Sequence, residues 1–236
     1  TEAVALGVSE QTAESFLVPV SSQSHPLYNP DLDYSVYLSQ PFFFILFQVI
    51  VLLVTVYAVG SEIKFRTGDD WLRTAGMNVF SAVAGPYTVI FILISVLANY
   101  VLFGVMRIPF SCGFWPLNLT SALFVVATQC LAVFLFSLFP AIGIVISVVS
   151  MVGSLGATLS GVTFPAPFMY KPVYYASFLF PVRHFVEISQ NLLYGDYGFA
   201  YTWQNVAALL LFALPALLVL HRLKKAVLSR RYENIK

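Results

Sequence analysis

The chain has 236 residues, of which 59% are hydrophobic, 16% aromatic and only 10% charged, and its formal net charge is +1. Soluble domains carry about 25% charged residues, so this composition, with a mean hydropathy of +0.83, excludes an ordinary water-soluble protein. The lipid bilayer is the partner that this composition indicates, and no nucleic-acid partner is expected.

Uncharged runs of about twenty residues are the main feature of the sequence. A helix rises about 1.5 Å per residue, so a run of that length crosses the ~30 Å hydrocarbon core. Five such runs follow one another, at 41–59, 79–103, 119–139, 141–163 and 205–221. The sequence therefore predicts an all-α, polytopic membrane protein with at least five transmembrane helices.

The segments that flank these runs set the expected domain boundaries. Residues 1–38 are mostly polar, and we expect them to be the end of an extracytoplasmic segment. Pro41, at the end of a stretch rich in turn residues and tyrosine, is predicted to break helix before the first span. Residues 39–223 are the predicted transmembrane domain, and residues 224–236 a basic cytoplasmic tail.

The distribution of Lys and Arg predicts the orientation, because these residues concentrate in cytoplasmic loops. Of the twelve, loop 60–78 holds three and the tail after the last run six, whereas residues 1–40 hold none. The alternate loops 104–118 and 164–204 hold the remaining three. We therefore expect an extracytoplasmic N-terminal tail and a cytoplasmic C-terminus.

The stretch 60–76 lies between two uncharged runs and carries six charged residues. Thr67 or Asp69 can cap a helix there, and Trp71 and Leu72 would share one face of it. Two interpretations stay open at this point. The stretch is either a solvated loop with ordinary helix caps, or an amphipathic helix that lies against lipid headgroups or a partner.

The fourth run, 141–163, is rich in small residues. Gly153, Ala157 and Gly161 recur at i, i+4 and i+8, a spacing that lets helix backbones approach closely in lipid. The stripe serves either packing within the bundle or a moving interface, and the sequence leaves both open.

Residues 166–195 are too polar and too rich in proline to cross a membrane, yet too aromatic for an ordinary loop. Within them, 181–195 predicts an amphipathic helix with Pro181 in its first turn and Gly195 as its C-cap. Its predicted apolar face is Val182, Phe185, Val186, Leu192 and Leu193, and its predicted water-facing side is Arg183, His184, Glu187 and Gln190. We expect one or two short re-entrant helices that dip into the outer leaflet.

Reactive constellations are absent from the sequence. There is no nucleotide-binding loop and no pair of His or Cys at ligand spacing, so no catalytic, cofactor-binding or metal residue is predicted. The predicted spans contain no Asp, Glu, Lys or Arg, which ion-coupled carriers usually need at depth. A permeation path would be weakly polar, and its candidate residues are Phe44, Phe47, Gln48, Ser147, Ser150 and Ser154.

Several motifs in this order resemble a type-2 ABC exporter permease, the transmembrane subunit of a bacterial ABC transporter. They are "LYNP" before a span, a cytoplasmic "E…R-T-G-x-x-W-L" after it, and "SGVTFPAPFMYKPVYYASFLFPVRHFVE" after the span rich in small residues. The resemblance covers nearly the whole chain from about residue 26 onward. Asp69-Asp70 and Lys171-Pro172 depart from the family's usual loop and Met-Pro patterns.

The resemblance implies a permease of an ATP-driven exporter in the bacterial inner (plasma) membrane. Such a permease moves a hydrophobic or amphipathic substrate out of the cytoplasm or the inner leaflet by alternating access. Members usually have six spans, so the five runs would be the second to sixth. The first span and most of an extracytoplasmic domain are then expected to be lacking from this chain.

The resemblance also implies that 60–76 contain a coupling helix, which seats in a groove of a separate ATP-binding cassette ATPase. The coupling residues would be Glu62, Arg66, Thr67, Asp69, Asp70, Trp71 and Leu72. ATP and Mg would belong to that ATPase, and this chain would hold no cofactor. A second permease copy or paralogue, which completes a dimer, and a periplasmic adaptor are the other implied partners.

Two other classes of function are weighed against this one. The uncharged spans disfavour an ion-coupled or channel-like transporter. The lack of a reactive constellation disfavours a membrane enzyme, and a membrane scaffold without transport activity is the remaining alternative. A neighbouring reading frame that encodes a P-loop ATPase would favour the exporter.

The orientation predicts the labelling of introduced cysteines. In intact cells, Ser21→Cys and Gly195→Cys should react with a membrane-impermeant thiol reagent, because both positions are expected outside. Ser229→Cys should react only after permeabilisation. Labelling of Ser229→Cys with protection of Ser21→Cys would reverse the predicted orientation.

Overall fold

The computed structural model describes residues 34–65, 67, 70, 79–195 and 199–228, and every regular element in these ranges is helical. The helices are α1 (Tyr34–Lys64), α2 (Val79–Asn99, extended by a π-helical segment Tyr100–Val105), α3 (Phe114–Leu138), α4 (Ile142–Thr158), α5 (Lys171–Ser177), α6 (Pro181–Tyr194), α7 (Phe199–Leu211) and α8 (Ala213–Leu228), with a 3-10 turn at Ala166–Phe168. The predicted all-α class is confirmed. Residues 1–33 and 229–236 lie outside the described ranges, so the predicted extracytoplasmic segment and basic tail stay predictions.

Among the described residues, four helical stretches are long and apolar enough to cross a membrane: Tyr37–Glu62, Gly85–Val105, Phe114–Leu138 and Phe199–Val219. They correspond to the first, second, third and fifth predicted runs. The fourth run, predicted over 141–163, forms α4, which is apolar but only 17 residues long. It ends at Thr158 because Ser160 turns back onto the Ala157 carbonyl and Gly161 takes a φ of +92°, outside the helical region.

The first and last spans differ from their predicted bounds. Helix α1 contains Pro41 and continues through Gly60 to Lys64, so the predicted break at Pro41 is wrong. A proline removes one helical hydrogen bond, which a membrane helix tolerates when its neighbours satisfy the freed group. The last span is interrupted at Phe212, three residues before Pro215, whose ring clashes with the preceding turn of an unbroken helix.

Helix α3 occupies the centre of the bundle and packs against α1, α2, α4, α6, α7 and α8. One apolar cluster joins it to α1 and α4, and its buried members are Leu52, Val56, Val59, Ala132, Val133, Phe136, Val145 and Val149. A second cluster joins it to α1, α2 and α6. We call its aromatic part the phenylalanine cluster, which consists of Phe44, Phe47, Phe91, Phe124 and Phe185.

Helix α2 is apolar on nearly every side, so apolar contacts alone do not fix its rotation. Two hydrogen-bonded sites hold it on α3. The Asn99 amide donates to Asn118 Oδ1 at 3.1 Å and to Ser121 Oγ at 3.0 Å, and about ten residues earlier the Thr88 hydroxyl donates to the Gln129 side-chain oxygen. Hydrogen bonds of this kind orient helices in lipid, where every helix surface is apolar.

Helices α1 and α4 approach each other closely at two glycines of α4. A Cβ atom at Gly153 would lie 3.0 Å from Val49 Cγ2. A Cβ atom at Gly156 would lie 2.8 Å from Gln48 Nε2 and 3.1 Å from Phe180 Cδ1. Each distance is shorter than ordinary van der Waals contact, so the absence of a side chain is what permits the approach.

The predicted small-residue stripe coincides with this contact only in part. Gly153 lies at it, and Ala157 packs, half-buried, against the cluster that contains the phenylalanines. Gly161 lies beyond the end of α4 and therefore does not continue the stripe. Gly156, which the i, i+4, i+8 spacing omits, has the closest approach to α1.

The two cysteines differ in depth, which predicts that no disulfide joins them, and both are free. Cys130 is buried in α3. Burial raises the pKa of the Cys112 thiol above its ordinary value, because apolar surroundings disfavour the thiolate. The thiolate is the reactive form, so we expect Cys112 and the buried Cys130 to give a low background in cysteine-labelling experiments.

The close approach of α1 and α4 predicts that a larger side chain is harmful at Gly156 but tolerated at a glycine of α4 that has open space around it. Gly156→Leu should lower stability by about 1–3 kcal/mol, because its side chain must displace Gln48 and Phe180. The matched control is Gly143→Leu, since a Cβ atom there meets nothing within 4 Å. Thermal unfolding of the purified protein in detergent measures both. Equal stability of the two variants would show that the helices separate at no cost.

Candidate functional site

Helix α6 is buried on most sides by the rest of the protein. It begins at Pro181, ends at Tyr194 and is followed by Gly195, as the sequence predicts. The predicted water-facing side is wrong for two residues, because Arg183 is only 5% and His184 only 2% exposed. Helices α1, α3, α4 and α7 surround α6, and they cover polar side chains that the helix alone would leave in water.

His184 connects α6 to its neighbours. Its Nδ1 lies 2.8 Å from the Asn205 side-chain oxygen on α7, and its Nε2 lies 3.0 Å from the Phe178 carbonyl oxygen. The imidazole also contacts the rings of Phe178 and Phe212. With both ring nitrogens engaged in structural contacts, His184 has the environment of a packing residue and not that of a catalytic base.

Arg183 and Glu187 form an ion pair on one side of α6. Arg183 Nη1 lies 2.8 Å from Glu187 Oε2, at the i, i+4 spacing of a helix. Gly161, at φ +92°, packs over the guanidinium, and a Cβ atom there would lie 3.5 Å from Nη1. The Arg183 side chain is 6% exposed and that of Glu187 is 39% exposed, so the pair runs from the interior to an open surface.

The open surface is the wall of a cavity of about 550 Å³, which we call the tyrosine cavity. Tyr37 at the beginning of α1, Tyr174 and Tyr175 on α5, and Glu187 and Gln190 on α6 line it. The Gln190 amide donates to the Tyr37 hydroxyl at 3.1 Å and so joins the first turn of α1 to α6. Lys171 and the Arg183 side chain complete the polar part of the wall.

The candidate path residues on α1 lie in the protein interior. Phe44 and Gln48 are fully buried and Phe47 is 3% exposed. The Gln48 side-chain oxygen accepts a hydrogen bond of 3.1 Å from the backbone N–H of Val182, in the first turn of α6. This bond satisfies one of the free N–H groups at a helix start, so Gln48 positions α6.

The candidate path residues on α4 lie on the opposite side of that helix, where they are exposed. The hydroxyls of Ser147, Ser150 and Ser154 donate to backbone carbonyls of their own helix at 3.2, 2.8 and 2.9 Å. The structure therefore does not bring the six predicted path residues together. Three are buried against α6, α3 and α2, and three face outwards.

The sequence matches the family described as ABC-2 family transporter protein over residues 3–220. The chain belongs to this ABC-2 family. It is therefore a multi-pass membrane component of an ABC-type transporter, and membership implies an ATPase partner that supplies the catalytic part. No curated protein and no solved structure matches the chain.

The predicted coupling segment of this ABC-2 permease is described in part. Helix α1 carries Glu62 in its last turn, and the Thr67 hydroxyl donates to the Glu62 carboxylate while the Thr67 N–H donates to the Glu62 carbonyl at 3.1 Å. Asp70 is exposed. Arg66, Asp69, Trp71 and Leu72 lie outside the described residues. The coupling role of all seven stays a prediction.

The tyrosine cavity and the junction at Gly156 are the features that sequence reasoning missed. The four-residue spacing of Arg183 and Glu187 is that of a helical ion pair, but a single sequence does not tell which helices cover it. In the sequence Gln48 is a candidate path residue because it is an uncharged polar residue within a span. Its hydrogen bond joins residues 134 positions apart in the chain, a separation that no local pattern encodes.

The burial of Arg183 predicts the effect of removing its counter-charge. Glu187→Gln keeps the side-chain shape but leaves a buried guanidinium uncompensated, and should lower stability by about 1–3 kcal/mol. Adding Arg183→Met should recover part of that loss, because it removes the unpaired cation. Thermal unfolding in detergent of the single and double variants measures the coupling. If the two residues did not interact, their effects would add. The double variant would then be less stable than Glu187→Gln by as much as Arg183→Met alone is less stable than the wild type, and this result would contradict the pairing.

Proposed function

We propose that this chain is the membrane-spanning subunit of an ATP-driven exporter, which moves a hydrophobic or amphipathic substrate by alternating access. The observation that carries the proposal is the family match over residues 3–220. The uncharged character of the spans supports it, because a path without ionisable groups suits an apolar cargo and needs an external source of energy.

The outward face of α4 supports a path between two permease copies or paralogues. In a single chain Ser147, Ser150, Ser154 and Thr158 are exposed along one side of this apolar helix. Their hydroxyls donate to carbonyls of the same helix. The face is therefore weakly polar, and its hydroxyls need no hydrogen bond to water. Such a face suits a wall along which an amphipathic molecule moves. Phe44, Phe47 and Gln48 would then stabilise this wall from behind.

The end of α1 supports docking of an ATP-binding cassette ATPase at the coupling segment. The helix continues beyond the uncharged run to Lys64, and the exposed Phe65 follows it. A large apolar side chain exposed close in the sequence to Glu62, Lys64 and Asp70 combines an apolar anchor with charges that fix orientation. In this proposal Trp71 and Leu72 complete the anchor, and the charges set the direction of docking.

The proposal predicts what happens when the anchor is removed. Trp71→Ser with Leu72→Ser should leave the permease inserted, because neither residue lies in a predicted span. ATPase binding should weaken by about 2–4 kcal/mol, or roughly thirty- to a thousand-fold, which is typical of losing two central apolar anchors. The measurement is co-purification of the ATPase at matched permease expression, together with ATP hydrolysis by the complex.

A matched control uses the same residue types at the other predicted side of the membrane. Trp115 and Leu119 are exposed on the first turns of α3, at 82% and 66%. Trp115→Ser with Leu119→Ser should leave co-purification unchanged. Undiminished co-purification and transport by the Trp71/Leu72 variant would show that the ATPase docks elsewhere.

A further inference from the structure

The tyrosine cavity has the volume of a ligand site and lies where a membrane helix begins. Its volume of about 550 Å³ falls in the range of about 300–1,000 Å³ that small-molecule pockets occupy. Tyr37, in its wall, is the first residue of the apolar stretch Tyr37–Glu62. We therefore expect the cavity to be at the level of the lipid headgroups, the chemical species that is most concentrated there.

The charges of the cavity favour one negative charge in its ligand. Arg183 and Glu187 neutralise each other at 2.8 Å. Lys171 lines the same cavity, is exposed, and has no ion-pair partner among the described residues. The remaining charge of the wall is therefore +1, which matches a monoanionic phosphodiester. A zwitterionic headgroup fits less well, because the carboxylate that would receive its ammonium is already paired.

The rest of the wall suits a headgroup that carries hydroxyls. Tyr174 and Tyr175 present phenol groups, and Gln190 and the exposed side of Glu187 offer hydrogen-bond acceptors. Aromatic side chains also stand free beside the opening. Phe164, Phe168 and Tyr170, in the segment that forms one wall, are 50%, 76% and 75% exposed. Exposed aromatics of this kind are typical of the membrane interface and would lie along the acyl chains.

We propose that the tyrosine cavity binds the headgroup of a monoanionic phospholipid that bears free hydroxyls, of the phosphatidylglycerol type. Lys171 contacts the phosphodiester, and the tyrosines, Gln190 and Glu187 contact the hydroxyls. The acyl chains leave the cavity towards the bilayer past Met169 and its aromatic neighbours. This site does not depend on the direction or the energy source of transport.

The test measures lipid binding to the purified full chain by native mass spectrometry in detergent. The probes are dioleoyl phosphatidylglycerol, dioleoyl phosphatidylethanolamine and water-soluble glycerophosphoglycerol. The wild type should bind phosphatidylglycerol about ten-fold or more tightly than phosphatidylethanolamine. One charge-assisted hydrogen bond contributes about that factor in affinity. It should bind the soluble headgroup far more weakly than the lipid. Equal binding of the soluble compound would overturn the assignment to lipid.

Variants distinguish lipid binding in the cavity from attraction of the lipid to positive charge elsewhere on the surface. Lys171→Gln should reduce the preference to about two-fold or less, and Lys171→Arg should keep it. The matched control is Arg107→Gln, an exposed cation in a loop on the same predicted side that does not line the cavity. It should keep the full preference.

Ala166→Trp fills the cavity without changing its charge and should weaken binding of phosphatidylglycerol. Lipid binding is compared among variants that have the same thermal stability in lipid-free detergent. Lys171 is exposed, so its replacement should not impair folding. A Lys171→Gln protein that keeps the preference, or an Arg107→Gln protein that loses it equally, would overturn the proposal.

Discussion

The packing of the bundle depends on the space that Gly156 leaves between three helices. A side chain at this position would meet Gln48 of α1 and Phe180 and Val182 of the α6 region within 3.5 Å. Because the space is open, the Gln48 amide reaches the Val182 N–H and receives its hydrogen bond. One glycine therefore permits both the close contact of α1 with α4 and the attachment of α6 to α1. In lipid, where apolar surfaces gain nothing by leaving water, such close contact is a main source of helix association.

Helix α6 brings polar groups into this packing and satisfies most of them locally. Glu187 compensates Arg183, and His184 contacts Asn205 and the Phe178 carbonyl. Satisfied polar groups of this kind restrict α6 to one position, because a shifted helix would leave a charge or an amide unpaired. The position of α6 in turn determines the wall of the tyrosine cavity. One side of α6 thus packs in the core, and its other side forms part of the wall of the tyrosine cavity.

The class of fold could be predicted from the sequence because the bilayer fixes the length of an apolar helix. The uncharged runs locate α1, α2, α3 and the α7–α8 pair, and Pro181 and Gly195 locate α6. The environment of each side chain could not be predicted in the same way. Gln48 and Ser150 look alike in the sequence, as uncharged polar residues within spans, yet one is fully buried and the other is exposed. Which side of a helix meets protein depends on the neighbours, and these come from distant parts of the chain.

Glu62, the one candidate coupling residue that lies in α1, and the tyrosine cavity are at opposite ends of one continuous helix. Helix α1 has 31 residues and is about 46 Å long at 1.5 Å per residue. It carries Glu62 near its last turn and Tyr37 near its first. Its middle packs against α3 and α4, and the helix continues without interruption through Gly60. In the proposed exporter, an ATPase that displaces the Glu62 end would tilt the Tyr37 end if the helix moves as one body.

Two hydrogen bonds join α6 to α1, from Val182 N–H to Gln48 and from Gln190 to Tyr37, and they would transmit such a tilt to α6. Helix α5 carries Lys171 and the two tyrosines of the facing wall, and the structure gives it no comparable packing against α1. A tilt of α1 would accordingly move one wall of the cavity relative to the other. A lipid that contacts both walls would bind one arrangement better than the other, and its affinity would then depend on the state of the ATPase, as reciprocal linkage requires.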